Sequence, residues 1–188
     1  MLYLITGGSA SGKSEYAENL AVKKHREIFG DGKLLYAAFM YPYDEECKQR
    51  IERHRQMRKE KGFETIEPYI CKDDISFGRR DVVLMECMSN LLANEMYLDG
   101  GVTKRYPGKC YEDLEDIITS YIKRVEENVG CVVIVTNEIF ADGMPKDLEM
   151  RSYVTILGQI NQKLAKMSTA TVEVVCSIPV FLKGEEKC

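Results

Sequence analysis

Gly7, Gly12, Lys13 and Ser14 stand in the spacing G-x-x-x-x-G-K-S, directly behind the apolar run Leu2, Tyr3, Leu4, Ile5. A glycine loop of this kind wraps a phosphate only where a strand enters it and a helix leaves it. Both are predicted here. Residues 2–6 read as a short buried strand. After Ser14, the run EYAENLAVKKHREIF puts Tyr16, Leu20 and Ile28 near one stripe, with acids in the first turn and bases later, so a helix starts inside the motif. In that arrangement the backbone N–H groups of Gly7, Gly8, Ser9, Ala10, Ser11 and Gly12 close around phosphate oxygens at a helix N-terminus. Lys13 carries charge to the β and γ phosphates, and the Ser14 hydroxyl is a candidate Mg²⁺ ligand. The alternative is a glycine turn with a chance Lys-Ser.

The rest of the chain reads as alternating strands and helices, with no internal repeat and no low-complexity linker. Strands are expected at 1–6, 33–39, 81–86, 131–136 and 171–176, each nearly continuous in apolar residues and so covered on both faces. Helices are expected at 13–29, 44–61, 87–98, 110–129 and 148–168. The fold class is therefore α/β and P-loop NTPase-like, a mostly parallel sheet flanked by helices on both faces. GFETIEPYI is a candidate short strand, and 99–110, DGGVTKRYPGKC, reads as a loop. With 188 residues the chain suits one domain and is short for two.

Charge and apolar content narrow the partners. A net charge of -4 and a pI near 5.4 argue against a general nucleic-acid binder. No apolar run approaches the ~20 residues of a membrane span, and the first residues lack a signal-peptide layout, so a cytoplasmic protein without membrane partners is expected. The seven cysteines, at 47, 71, 87, 110, 131, 176 and 188, form no C-x-x-C pair and read as reduced core thiols.

In a parallel sheet, ligands gather at the carboxyl ends of the strands. Glu86 ends the third main strand and is placed to approach a loop-bound magnesium, the alternative being a carboxylate that caps the next helix. Thr136, Asn137 and Glu138 end the fourth and are candidates for a substrate-facing rim, or for a turn with a helix cap. The segment CKQRIERHRQMRKEKGFETIE, 47–67, is the most unusual. As a helix it sets Arg50, His54 and Arg58 four residues apart on one face, an imidazole between two guanidiniums. Neighbouring cations disfavour imidazolium, and neutral imidazole is a competent nucleophile toward phosphorus. Arg50 and Arg58, with Glu67 at the segment's end, are the nucleotide-binding candidates of this region. A charge run on a helix is more commonly a solvated face. His25, late in the first helix, has only that ordinary reading.

The ordered set TGGSASGKSEYAENL, RIERHR with Arg58 after it, LMECMSNLLANEM, VVIVTNEI and GQINQKLA resembles the bifunctional adenosylcobinamide kinase / adenosylcobinamide-phosphate guanylyltransferase family of cobalamin nucleotide-loop assembly, over nearly the whole chain. The resemblance implies that His54, as the histidine of R-I-x-x-H, is the residue that becomes guanylylated. It also implies Mg²⁺, GTP as guanylyl donor, ATP or GTP as phosphoryl donor, a corrinoid substrate and a homotrimer. Two departures stand out. Ala10 occupies the arginine position of the family's G-G-x-R-S-G-K-S loop. Lys59 follows Arg58 where proline is usual, and Phe63 stands for the usual tryptophan in a chain that has none. The missing cation bears first on the kinase half, since the nucleophile survives. Two other classes share parts of the pattern. A P-loop kinase of the nucleoside or shikimate type explains residues 1–29 but gives Arg50, His54 and Arg58 no task, and a GTP-binding switch normally carries an N-K-x-D motif, which is absent.

Overall fold

The computed structural model describes residues 1–185 apart from Phe29, 72–74, Asp142 and Met144, and leaves aside the side chains of Ile28, Glu46, Cys47, Arg50, Arg53, His54 and Met57. Strand β1 (Leu2–Thr6) runs into the glycine loop, and α1 (Lys13–Ile28) leaves it. There follow β2 (Leu34–Ala38), α2 (Glu45–Glu60), β3 (Glu64–Ile66), β4 (Val82–Glu86) and α3 (Met88–Tyr97). Then come α4 (Gly101–Arg105), α5 (Leu114–Asn128), β5 (Cys131–Val135), α6 (Leu148–Met167), β6 (Ala170–Val175) and β7 (Ile178–Lys183).

The strands form one seven-stranded sheet in the order β3-β2-β4-β5-β1-β6-β7. All neighbours are parallel except β6 and β7. Alternate residues of each central strand serve opposite faces, as a two-residue period requires. Leu4, Val83, Met85 and Ile134 pack into the core with α3, α5 and α6, while Ile5, Leu84, Val133 and Val135 pack with Ala17 and Ala21 of α1. Apolar residues on both faces explain why these strands are nearly continuous apolar runs. The register brings Ala38, Glu86 and Val135 side by side, so the chain segments that follow β2, β4 and β5 emerge at one rim. Main-chain bonds extend that rim past the strands: Thr136 N–H donates to Ile5 O (2.9 Å), Glu138 N–H to Gly7 O (3.0 Å) and Phe39 N–H to Glu86 O (3.0 Å).

Two elements depart from the sequence reading. The expected loop at 99–110 contains α4, five residues long, with Val102 fully buried. Arg105 holds it in place, pairing with the buried Glu95 carboxylate (2.9 Å) and donating to the Asn94 carbonyl (3.0 Å) of α3. A buried ion pair between distant positions has no periodicity to announce it. The second is β7, antiparallel at the sheet edge and joined to β6 through Cys176 and Ser177, both left-handed at φ +50° and +63°. That is the backbone of a two-residue hairpin turn, adopted here without the Asn-Gly or Gly-Gly that usually signals it. The hairpin also corrects the reading of the thiols. Cys131 is buried, but Cys176 on the turn and Cys110 are exposed, and Cys71 and Cys87 are half-buried; none of these five forms a disulfide among the described residues. Cys47 and Cys188 lie outside the described residues.

Candidate active site

The glycine loop is shaped by close approaches that a side chain would block. A Cβ on Gly7 would lie 2.5 Å from Ser11 Oγ and 2.6 Å from the Val174 carbonyl. Gly12 has φ +90°, and its Cβ would meet Ser177 Oγ at 2.6 Å. The β6–β7 turn thus closes against the loop, and Ser177 N–H donates to Ser11 O (2.8 Å). Ala10 takes the left-handed φ of +55°, a conformation with a penalty of about 1–2 kcal/mol for a residue with a Cβ. The Ser11 hydroxyl is buried without a hydrogen-bond partner among the described residues.

Lys13 is buried and donates from Nζ to the Gly8 carbonyl (2.9 Å), folding its charge back over the loop. Ser14 Oγ donates to Glu86 Oε1 (2.5 Å), a contact between residues 72 positions apart. The other oxygen of that carboxylate accepts from the Tyr36 hydroxyl (2.8 Å). Burial, and after it the Glu86 carboxylate, hold the Tyr36 phenol well above its ordinary pKa, so it remains a donor. Among the described residues no group of three or more His, Cys, Asp or Glu comes together to cage a metal ion. One carboxylate beside a hydroxyl is the donor set of a Mg²⁺ ion held mainly by substrate phosphates.

Helix α2 is fastened to this cluster through Arg58. Its guanidinium lies 3.5 Å from the centroid of the Tyr36 ring, and Nε is 3.5 Å from Glu18 Oε1 of α1. Lys61 takes the other Glu18 oxygen (2.6 Å). Phe63 packs edge-on against Tyr36, 6.1 Å between centroids. Cation, aromatic ring and carboxylate form one chain of contacts running from α2 to Glu86.

These residues surround a cavity of about 400 Å³ at the carboxyl ends of the strands. Of the residues expected from sequence, Ser9, Ala10, Lys13, Ser14, Arg58, Glu86, Asn137 and Glu138 line it. Gly7, Gly8, Ser11 and Gly12 build the loop behind that lining. Thr136 is displaced from the expected rim: it is fully buried, and its hydroxyl donates to Asn161 (2.7 Å). Glu67 also turns elsewhere, accepting from Arg55 (2.5 Å) and from the Tyr69 hydroxyl (3.0 Å). The side chains of Arg50 and His54 lie outside the described residues, although both positions belong to α2. His25 is remote from the lining, its Nε2 2.7 Å from the Gly32 carbonyl.

The cavity also draws in residues to which the sequence reading gave no role: Tyr36 and Met40, and, within the quoted motifs, Ile51, Cys87 and Asn90. Asn137 is pinned by donating to Ser89 Oγ (2.6 Å), which also lies 2.9 Å from Cys87 Sγ. Burial raises the Cys87 pKa, keeping a thiol rather than a thiolate at the cavity wall.

A strand, a glycine loop closed on the next helix, and a carboxylate from β4, two strands along the sheet, bonded to the motif's serine define a P-loop nucleotide-binding protein. The family described as cobinamide kinase / cobinamide phosphate guanyltransferase matches residues 3–182. The chain belongs to this family. It is 32% identical to the bifunctional adenosylcobalamin biosynthesis protein CobU of Escherichia coli K12, over 97% of this chain and all of that protein. It is 28% identical to the bifunctional adenosylcobalamin biosynthesis protein CobP of Pseudomonas aeruginosa, over 97% of each. Among solved structures, the flagellar accessory protein FlaH of Methanocaldococcus jannaschii is similar with a TM-score of 0.49 and 15% identity, over 98% of this chain and 78% of that one.

Proposed function

We propose that one triphosphate site serves two successive transfers on a corrinoid. The observation that carries this reading is the Ser14–Glu86 contact beside Lys13, a charge and ligand set gathered at the glycine loop. In the kinase step, the loop and Lys13 hold ATP or GTP while the hydroxyl of the aminopropanol arm of adenosylcobinamide takes the γ-phosphoryl group, leaving the nucleoside diphosphate. Ser14 and Glu86 are the residues that would hold Mg²⁺, which supplies positive charge against the phosphates when bound.

In the second step a ring nitrogen of His54 attacks the α-phosphorus of GTP and the α–β bridging bond breaks, releasing pyrophosphate. The phosphate of adenosylcobinamide phosphate then takes the GMP group from the histidine, giving adenosylcobinamide-GDP and free enzyme. Lys13 offsets charge on the departing pyrophosphate. Arg58, anchored on Tyr36 and Glu18, keeps α2, the helix that carries His54, beside the cavity. The corrinoid reaction belongs to the cytoplasm, where nucleoside triphosphates are made. Copies of the chain assemble as a homotrimer by family resemblance; the apolar Ile178, Val180 and Leu182 left exposed along β7 support association of copies without fixing their number.

The test is covalent labelling. Incubation with GTP labelled at the α-phosphate, followed by denaturation, should leave acid-labile, base-stable label on the parent and on His25→Ala, and none on His54→Ala. Full labelling of His54→Ala would remove the nucleophile assignment.

A further inference from the structure

Three tyrosines stand together beside the cavity and have no part in either transfer. The Tyr41 ring lies 5.0 Å from Tyr43 at 57° and 5.2 Å from Tyr69 at 69°. Tyr41 follows Met40 of the cavity lining in the chain, which ties the cluster to that wall. It is held from behind. The buried Asn94 of α3 donates to the Phe39 carbonyl (2.7 Å) after β2 and to the Tyr69 carbonyl (2.7 Å) after β3. Tyr69 keeps a left-handed φ of +49°, and its hydroxyl is fixed on Glu67 (3.0 Å). Tyr43 N–H donates to Tyr41 O (3.0 Å), yet the Tyr43 residue remains 65% exposed. A hydrogen-bonded backing beneath an exposed Tyr43 and half-buried Tyr41 and Tyr69 is the layout of a preorganised contact surface.

We propose that Tyr41, Tyr43 and Tyr69 form the seat for the corrin macrocycle of the acceptor, with its aminopropanol arm directed into the cavity. This rests on the function proposed above. The shape of the cluster favours a macrocycle over the guanine base. A base stacks on a single ring face or enters a slot between parallel rings, whereas these rings are tilted 57° and 69° and spread a broad, faceted surface. A puckered ring system edged with methyl and amide groups fits such facets. Position agrees with shape. Asn94 ties the cluster to α3, on the sheet face opposite α1, while the phosphate loop opens α1.

Equilibrium dialysis tests this without catalysis: cobinamide phosphate, followed by its visible absorbance, and a GTP analogue with methylene groups at both phosphate bridges, standing for GTP because it cannot be transferred, are each titrated against the parent, Tyr43→Ala and Tyr43→Phe. Tyr43→Ala should weaken cobinamide phosphate binding about five- to tenfold with GTP binding unchanged, and Tyr43→Phe should stay near the parent. Equal corrinoid affinity in the parent and Tyr43→Ala overturns this inference alone. Weakened GTP binding with unchanged corrinoid binding would instead assign the cluster to the base. A parent chain that binds GTP but no corrinoid overturns this inference and the proposed function together.

Discussion

On the phosphate side of the cavity, Lys13 and Ser14 sit next to each other in the chain and meet their partners through a glycine loop whose path admits little else. On the α2 side, Arg58 reaches its contacts with a long side chain, stacking on Tyr36 and pairing with Glu18. The loop confines charge by backbone geometry, so the motif alone tells where Lys13 goes. A guanidinium on a helix goes to whichever partner packs best, and at Arg58 that partner is an aromatic ring and a carboxylate as well as the cavity. In the function proposed above, one side is a binding device and the other a clamp that positions a helix.

If that contrast is right, variants on the two sides fail differently. Lys13→Ala should lower phosphorylation of adenosylcobinamide and guanylyl transfer together, each by about 10²-fold or more, because one transition-state charge contact is removed from both. Steady-state assays of the two half-reactions check this, and a variant that keeps either at full rate separates the sites.

Glu86→Gln should retain the fold, since an amide oxygen still accepts from Ser14 or Tyr36. It should also lower both rates roughly ten- to a hundredfold at fixed Mg²⁺, with partial recovery as Mg²⁺ is raised. Recovery absent at any Mg²⁺ concentration would argue that Glu86 acts only as a structural acceptor.

Arg58→Ala should divide the two activities. Loss of the ring contact and the Glu18 pair should lower stability by about 2 kcal/mol, a fall of roughly 4–8 °C in Tm, and reduce guanylyl transfer about tenfold while the kinase rate changes less. Equal losses in both would place Arg58 on the phosphates instead. Ala10→Arg carries the smallest expected effect, a few-fold rise in the kinase rate with guanylyl transfer unchanged, from a cation added to the loop where it borders the cavity. No change would mean that the charges already present suffice.

The two sides also differ in how far the sequence reveals them. Strand, loop and α1 are local, and Glu86 follows from the rule that polar residues at carboxyl strand ends face the site. Helix α2 is legible from its own residues, but Tyr36 and Arg58 as a pair are not, because ring and cation come from separate elements and meet only through packing. Thr136 shows the limit of the strand-end rule: a hydroxyl that finds Asn161 behind it turns inward, away from the rim. Asn94 and Glu95 sit in a helix whose existence the sequence predicts, but their bonds to Tyr69 and Arg105 are visible only in three dimensions.

The claim on which the rest depends is that a single phosphate site feeds both transfers. A GTP analogue with methylene groups at both the α–β and β–γ bridges transfers neither phosphoryl nor guanylyl, so its binding and its inhibition can be read side by side. Isothermal titration should give one equivalent per chain, and the analogue should inhibit adenosylcobinamide phosphorylation and GMP transfer with one common inhibition constant. Two equivalents per chain, or two well-separated constants, would contradict the account.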